Sequence, residues 1–543
     1  MYLNDPANCP VRPPDGPGAL RRRLLGALGL GGGGPGEPAA APDAPPRPPP
    51  PPPPAITPKQ FLGVAAATLA VSVAGGVALG VGAMALYRAR PHAAVYGAIA
   101  LQVGLPLSAG FAALASGAPL GAAAPGLLTA GLVAFVYYLY RAQLGLVARL
   151  LGTAAQAVSR VWGVVVVAAG IQLAAALLCA PLAASALLAY ANGRVVPSPA
   201  AAGPAPPGGG GQGGDEGGAG LACVTAAGDP TPCCAWQPDG WALGLMALCA
   251  VALTWTSLLA FCIKTYVVSG AVSAWYFSPA GAPAPKDATR AALANALGPS
   301  LGSCALAAWL LACISWARQG LRQLRENARD SFLAQVLLSC VDALYAILEQ
   351  LSKFGVVMAA ITGEPFLEAA RRSTALLSRN LLDTVAVWVF PANVVGLTNL
   401  ALAGAWAALA GASSYRLAFA PAEARAAAAA AAAGAPGADS AGSLALPLAA
   451  LVGLCAFGCG LAALSFLASV LLSAADAVYV CFAIDRDRAA VSREDVHEVM
   501  ALLPASKKAA EAAAAGGREG PGGGIVEQPG GGYAFGAGRP AAF

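Results

Sequence analysis

Long apolar runs separated by short polar segments dominate the chain from about residue 61 onward. Nine of these runs are long enough to cross a bilayer as helices, since a spanning helix needs about 20 mostly apolar residues. The runs cover roughly residues 61–86, 93–116, 122–140, 161–190, 241–263, 298–317, 332–361, 381–410 and 443–482. The pattern predicts an all-α fold, a polytopic bundle of about nine transmembrane helices.

The polar segments divide the chain into three regions. Residues 1–58 are rich in Pro and Gly, which predicts a disordered N-terminal segment. Residues 59–485 hold the apolar runs and form the predicted transmembrane domain, which contains a hydrophilic, cysteine-bearing loop over residues 194–240. Residues 486–543 form a C-terminal tail.

One segment between the third and fourth runs has a different periodicity. Residues 141–160 place four apolar side chains on one helical stripe, with arginines outside it: Leu144, Val147, Leu150 and Leu151. Such a stripe is typical of a helix that lies in the membrane interface. We therefore expect an interfacial helix here.

Composition agrees with a chain surrounded mostly by lipid. Hydrophobic residues make up 57% and charged residues 11% of the 543 positions, whereas a soluble domain carries about 25% charged residues. The lipid bilayer is thus the expected partner of the helices. A net charge of +5, with basic residues scattered at the ends of apolar runs, gives no nucleic-acid footprint.

The basic residues orient the chain. Suppose that the first run enters the membrane from the non-cytoplasmic side. The cytoplasmic connections, one of which contains Lys264, then hold about twice as many Lys and Arg residues as the opposite loops, one of which contains Arg318. The C-terminal tail is then cytoplasmic and the loop 194–240 extracytoplasmic. This orientation leaves the N-terminal segment outside and gives an odd number of spans, so we expect that a first span is missing.

The orientation also bears on three cysteines in the loop, Cys223, Cys233 and Cys234. In an oxidising compartment, a disulfide between Cys223 and one of the later pair is expected. Free thiols are the alternative.

Motifs of soluble enzymes do not occur. His92 and His497 belong to no HExxH pattern and lie near no cysteine pair with metal spacing. The glycine runs at 31–34 and 522–524 do not sit between a strand and a helix, so they form no phosphate-binding loop. We expect no catalytic site, no metal site and no cofactor.

The seventh run carries polar groups at membrane depth. Asp342, Tyr345 and Glu349 have the spacing i, i+3 and i+7, which places two carboxylates and one ring on a single helical face. A quaternary ammonium ion binds best to aromatic faces near an anion, so these residues are candidate substrate ligands. In the alternative, Glu349 pairs with Lys353 at i+4, and Asp342 lies near the lipid headgroups.

Aromatic residues of the fifth run give further candidates. Trp255 and Tyr266 share one stripe and are possible substrate contacts, although packing is the ordinary role of Trp255. Residues 275–277 (WYF) predict an aromatic belt at the membrane interface, with a binding cage as the alternative. Residues 363–365 (GEP) and Pro391 interrupt two later runs, as in helices that line substrate sites in transporters.

Several segments together resemble a known family. They are VVSGAVSAWYFSPAGAPAPKDATRAAL followed by LGPSLGSCALAAWLLACISWARQ, RAQLGLVARLLGTAAQAV, ITGEPFLEAARRSTALLSRN and SAADAVYVCFAIDRDR. Their types and order, over roughly residues 61–500, resemble the choline transporter-like family, and most of all its fungal and algal branch named for sensitivity to high pH.

The resemblance implies a fold and a function. It implies ten spans with a cytoplasmic N-terminus, and the first apolar run here looks like the second span of the family. It also implies a multi-pass membrane protein that moves choline or a related small organic cation or solute without hydrolysing ATP. The plasma membrane is the expected location, with an endomembrane as the alternative. The competing hypothesis is a membrane scaffold or signalling protein that retains the transporter fold.

Overall fold

The computed structural model describes residues 58–117, 119–139, 141–197, 222–224, 230–232, 234–279, 287–327, 332–378, 381–432, 445–488 and 490–500. The predicted disordered segment 1–58 lies outside these residues except for Pro58, which begins the first helix. The described helices are α1 (Pro58–Ala89), α2 (Pro91–Ala115), α3 (Leu120–Leu139), α4 (Arg141–Arg160), α5 (Gly163–Tyr190), α6 (Gly240–Tyr276), α7 (Ala288–Leu297), α8 (Leu301–Asn327), α9 (Phe332–Thr362), α10 (Phe366–Ser378), α11 (Leu381–Ser414), α12 (Ala420–Ala432), α13 (Ala445–Asp487) and α14 (Glu494–Met500). A π-helix, Tyr415–Phe419, joins α11 to α12.

The predicted polytopic bundle is confirmed. Eight described helices are long and apolar enough to cross a membrane, namely α1, α2, α5, α6, α8, α9, α13 and the segment Pro391–Arg425 that begins in α11. A ninth span forms if α3 and α4, which meet at 87°, are counted as one broken span. The third predicted run, 122–140, corresponds to α3.

Two helices continue beyond the ends of the apolar runs that predict them. Helix α6 continues to Tyr276 and helix α8 to Asn327, whereas the apolar runs end near residues 263 and 317. Lys264 and Arg318 therefore lie within helices, and their predicted place in connecting loops is wrong. Hydropathy marks where a helix suits lipid, but a helix continues wherever its hydrogen bonds and protein contacts support it.

The amphipathic helix α4 is present, but its apolar stripe contacts protein. Leu144, Val147, Leu150 and Leu151 are all at most 3% exposed, and α4 packs against α1, α2 and α13. The stripe therefore does not insert into lipid, while the position of α4 at the membrane interface stays a prediction. The stripe is apolar because it belongs to the core of the bundle.

Helix α13 is the central element of the bundle, and it packs against α11, α1 and α6. Glycine permits a close approach between α11 and α13. A Cβ atom on Gly453 would lie 3.1 Å from the carbonyl oxygen of Ala407 and 3.4 Å from the Cα atom of Gly411. The backbones of α11 and α13 thus touch, which is the packing expected when small residues line helix interfaces in lipid.

A polar network inside the bundle is shielded by protein. Gln102 of α2 is 7% exposed. Its Nε2 atom donates hydrogen bonds of 2.9 Å to the Val394 carbonyl and to Thr398 Oγ1 of α11, and its Oε1 atom accepts one of 2.5 Å from the Tyr137 hydroxyl of α3. Since an unpaired amide is costly in a bilayer, this pairing stabilises the contact among three helices.

The outer surface is apolar. Leu128 is 73% exposed, Leu177 68% and Leu187 71%. An exposed apolar surface of this kind is unstable in water and suits a lipid environment.

The loop 194–240 contains two described ribbons. Strand β1 (Gly193–Pro197) pairs antiparallel with β4 (Cys234–Pro238), and β2 (Ala222–Val224) pairs antiparallel with β3 (Pro230–Pro232). Cys223 lies in β2 and Cys234 in β4, while Cys233 lies outside the described residues. The disulfide stays a prediction.

Candidate substrate-binding site

The predicted carboxylates of α9 form ion pairs with basic residues. Arg318 of α8 donates from Nε to Asp342 Oδ1 at 3.0 Å and from Nη1 to Glu349 Oε2 at 2.8 Å. Lys353 approaches the other oxygen, Glu349 Oε1, at 2.9 Å. The side chains are 23–32% exposed. Two acids and two bases thus form one network with no net charge.

This network bears on the alternatives left open by the sequence. The i, i+4 pair between Glu349 and Lys353 is present. Arg318 belongs to a different helix, at a position where the apolar pattern predicts a loop, so this pair is not predictable from the sequence. A cation bound by Asp342 or Glu349 would have to displace Arg318 or share its partners, so a substrate role for these acids stays a prediction.

The aromatic candidates occupy different environments. Tyr345 is half-buried on α9. Trp255, also half-buried, packs against the main core, and its Nε1 atom donates to the Ala305 carbonyl of α8 at 3.5 Å. This contact joins α6 to α8, and a substrate role for Trp255 stays a prediction.

Tyr266 lies at a cavity. Its side chain is 4% exposed, and its hydroxyl lies 2.9 Å from Ser300 Oγ. The cavity, which we name the polar cavity, has a volume of about 410 Å³ between α6, α7 and α9. It is lined by Tyr266, Gly270, Ala274, Asp287, Ala288, Ala291, Ala292, Asn295 and Ala360.

The lining of the polar cavity combines an aromatic group with an anion. Tyr266 supplies the ring, Asp287 supplies a carboxylate at the start of α7, and Asn295 supplies an amide. Around them the walls are alanine and glycine, which carry little bulk. The lining thus contains both kinds of group that bind small organic cations in proteins.

Gly270 sets the distance between α6 and α7 at this cavity. A Cβ atom at position 270 would lie 3.1 Å from the Ala292 side chain. The short α7 therefore packs directly on α6 because both positions are small.

Sequence reasoning did not select Asp287 or Asn295. Both lie in or next to the stretch KDATRAAL, which supported the family resemblance, but that stretch follows a polar connection and has no membrane-depth signal. Only the packing of α7 against α6 places them opposite Tyr266.

A buried lysine occurs in the same helix. Lys264 is 5% exposed, donates to Ser469 Oγ of α13 at 2.8 Å, and lies 5.3 Å from the ring centroid of Phe261. Lys353 approaches the same ring at 5.7 Å. The two ammonium groups thus share one aromatic contact.

The end of α6 is anchored to the C-terminal segment. Trp275 is 3% exposed and Tyr276 is fully buried, so the predicted interfacial belt is wrong for these two residues. The guanidinium of Arg493 lies 4.5 Å from the Trp275 ring centroid and donates from Nη2 to the Trp275 carbonyl at 2.8 Å.

Asp485 of α13 completes this anchor. It is 1% exposed and accepts hydrogen bonds from the Tyr276 hydroxyl at 3.0 Å and from both the backbone N–H and the hydroxyl of Ser492 at 2.9 Å. His497 Nε2 lies 3.3 Å from the same carboxylate. Helices α6, α13 and α14 thus meet at one carboxylate.

The break at residues 363–365 has partners within the protein. Gly363 ends α9 with a φ of 76°, a conformation that favours glycine. Beyond it, Glu364 pairs with Arg372, and the Phe366 N–H donates to Ser303 Oγ at 3.3 Å. The Ser303 hydroxyl thus satisfies one of the free N–H groups at the start of α10. Pro391, the other predicted interruption, lies within α11.

Comparison with known proteins gives the family. The chain is similar to Protein PNS1 of Gibberella zeae, with 31% identity over 153 residues, which is 27% of this chain and 28% of that protein. It is similar to Choline transporter-like protein 2 of Dictyostelium discoideum, with 26% identity over 139 residues, which is 24% of this chain and 22% of that protein. Each match thus spans less than a third of the relative. The family model described as plasma-membrane choline transporter matches residues 126–487, and the chain therefore belongs to the choline transporter family.

Proposed function

We propose that this protein moves choline or a related small organic cation across the plasma membrane, without hydrolysing ATP. The observation that carries the proposal is the polar cavity, in which Tyr266 and Asp287 face a common space within a chain of the choline transporter family. Transport requires only that the solute is bound and then released unchanged. These groups can provide such binding.

The quaternary ammonium group of choline explains the choice of these residues. It cannot donate a conventional hydrogen bond, so it is held by aromatic faces and by nearby negative charge. Tyr266 and Asp287 supply these two interactions, and Asn295 supplies donors and acceptors for a hydroxyl group.

The helices around the polar cavity suit alternating exposure of such a site. The cavity lies between α6, α7 and α9, and α9 ends at the glycine-based break after Thr362. In transporters, discontinuous helices next to the site commonly move relative to the rest of the bundle. We propose that movement of α9 and α10 relative to α6 opens the cavity to either side.

A second proposed contact for the cation is the ion-pair network of Asp342, Glu349, Arg318 and Lys353. Its acids remain proposed contacts for the cation, together with Tyr345 and Trp255, at a stage of transport in which Arg318 has exchanged partners. In the described arrangement the network holds α8 to α9.

The test is uptake of labelled choline by proteoliposomes that contain the purified protein. Asp287→Asn removes the anion of the polar cavity and keeps its shape, so we expect KM for choline to rise about tenfold, the factor that corresponds to about 1.4 kcal/mol. Asp239→Asn is the matched control, because Asp239 is also exposed and precedes the opposite end of α6. It should leave KM unchanged.

Two results would contradict the proposal. Proteoliposomes with the unmodified protein and no choline or amine uptake above that of empty vesicles would favour a scaffold role. Equal KM values for Asp287→Asn and Asp239→Asn would remove the polar cavity from the binding site.

A further inference from the structure

The segment after α13 folds back onto the end of α6 and caps this helix. Arg493 donates from Nη2 to the Trp275 carbonyl at 2.8 Å and from Nε to the Tyr276 carbonyl at 3.3 Å. Its Nη2 atom also donates to Ser278 Oγ at 3.2 Å, and its guanidinium lies 4.5 Å from the Trp275 ring centroid. One side chain thus binds the carbonyls of the last two residues of α6.

The end of α6 needs such a partner. The last carbonyl groups of a helix have no partner within the helix, and a positive charge beside them complements the helix dipole. The last turn of α6 contains no basic residue of its own. Arg493 therefore supplies, from a distant part of the sequence, the cation that this helix end lacks.

Arg493 is itself held by its neighbours in the C-terminal segment. Ser492 donates two hydrogen bonds of 2.9 Å to Asp485, and Asp485 also accepts one of 3.0 Å from the Tyr276 hydroxyl. On the other side of Arg493, Val496 is fully buried. Because contacts on both sides fix the segment, the guanidinium has a defined position against α6.

The capped end of α6 leads directly into the polar cavity. Ala274, which lines this cavity, comes immediately before Trp275. Beyond the helix, a short connection leads from Ser278 to Asp287, which supplies the carboxylate of the cavity. The position of Asp287 therefore depends on where α6 ends and on how the chain leaves it.

Helix α7 provides few other restraints on Asp287. This helix has only 10 residues, and Asp287 at its start makes no capping hydrogen bond with its side chain. An isolated helix shorter than about 12 residues is marginally stable, so α7 depends on its packing against α6 near Gly270. The end of α6 is thus a main determinant of where α7 begins.

We propose that Arg493 is a positioning residue for choline binding. By capping α6, it fixes the connection to α7 and so holds the Asp287 carboxylate opposite Tyr266 in the polar cavity. Residues 490–500, which we name the latch, then belong to the transport machinery: when the latch leaves α6, the cavity binds the cation more weakly. The proposal rests on the proposed function, because it concerns the same cavity.

The test is uptake of labelled choline by proteoliposomes that contain the purified full-length protein, measured as KM and maximal rate. Arg493→Gln removes the cation and keeps a polar side chain, whereas Arg493→Lys keeps the cation. Arg486→Gln is the matched control, because Arg486 is an exposed arginine near the end of α13.

We expect Arg493→Gln to raise KM for choline about fivefold and to leave the maximal rate unchanged. A charge at a helix end shifts a local equilibrium by about this factor, and apparent affinity falls with the fraction of molecules whose site is competent. Arg493→Lys should restore part of the affinity, and Arg486→Gln should leave KM unchanged. Ser278→Ala, a milder variant that removes only one acceptor of Arg493, should raise KM about twofold.

A double variant shows whether the latch acts through Asp287. If it does, Arg493→Gln combined with Asp287→Asn has the same KM as Asp287→Asn alone, because the carboxylate that the latch positions is already absent. If the two residues act independently, their effects on KM multiply.

Hydrogen exchange separates positioning from a local structural role. In Arg493→Gln we expect the exchange rate to rise about fivefold in residues 287–297 as well as in the latch. A merely structural contact would raise it in the latch alone. Arg486→Gln should exchange like the unmodified protein in both segments.

Three outcomes would overturn the inference while Asp287→Asn still raises KM. They are an unchanged KM in both Arg493→Gln and Ser278→Ala, multiplied effects in the double variant, and faster exchange confined to the latch. If Asp287→Asn itself left KM unchanged, the polar cavity and with it the proposed function would be contradicted instead.

Discussion

Removal of the Arg318 side chain tests whether the acids of α9 are structural. Arg318→Met keeps an apolar stem and removes two charge-assisted hydrogen bonds, of 3.0 Å to Asp342 and 2.8 Å to Glu349. Each such bond contributes about 1.5–3 kcal/mol when well shielded. Because the groups are 23–32% exposed and Glu349 keeps Lys353, we expect a loss of about 2–4 kcal/mol in the free energy of unfolding.

A compensating variant makes this prediction specific. Asp342→Asn combined with Arg318→Met also removes the charge of the carboxylate that loses its ion-pair partner, so it should restore about half of the lost stability. Arg371→Met is the control, because Arg371 is an exposed arginine of α10. We expect a change of less than about 1 kcal/mol there.

Tryptophan fluorescence of the purified protein in detergent, followed during thermal unfolding, measures these differences. The chain has 9 tryptophans, and Trp309 and Trp316 of α8 lie near the network in sequence. If Arg318→Met and the control variant unfolded at the same temperature, the stability of the fold would not depend on the ion pairs of Arg318.

Two further predictions concern packing. Asp485→Ala removes the acceptor shared by Tyr276 and Ser492, so hydrogen exchange should rise about tenfold or more in residues 490–500; an unchanged rate would show that Arg493 alone holds this segment. Gly453→Leu places a side chain where a Cβ atom already lies 3.1 Å from the Ala407 carbonyl, so α11 and α13 must separate. Loss of folded protein in size-exclusion chromatography is expected, with Gly458→Leu, whose Cβ atom is free, as the tolerated control.

The sequence by itself determined the class of protein and most of its spans. A helix in lipid must satisfy its own backbone and present apolar side chains, so a run of about 20 such residues is a local property that needs no knowledge of neighbours. For this reason the runs predicted α1, α2 and α13 well. The i, i+4 pair of Glu349 and Lys353 was predictable on the same ground, because one helix contains both residues.

Tertiary structure decided which polar groups face each other. Arg318 reaches the acids of α9 only because α8 packs beside α9, and Asp287 faces Tyr266 only because Gly270 and Ala292 let α7 approach α6. The stripe of α4 shows the same limit, since an apolar face suits lipid and a protein core equally. Hydropathy indicates whether a side chain avoids water. The residue that this side chain contacts depends on helices that are distant in the sequence.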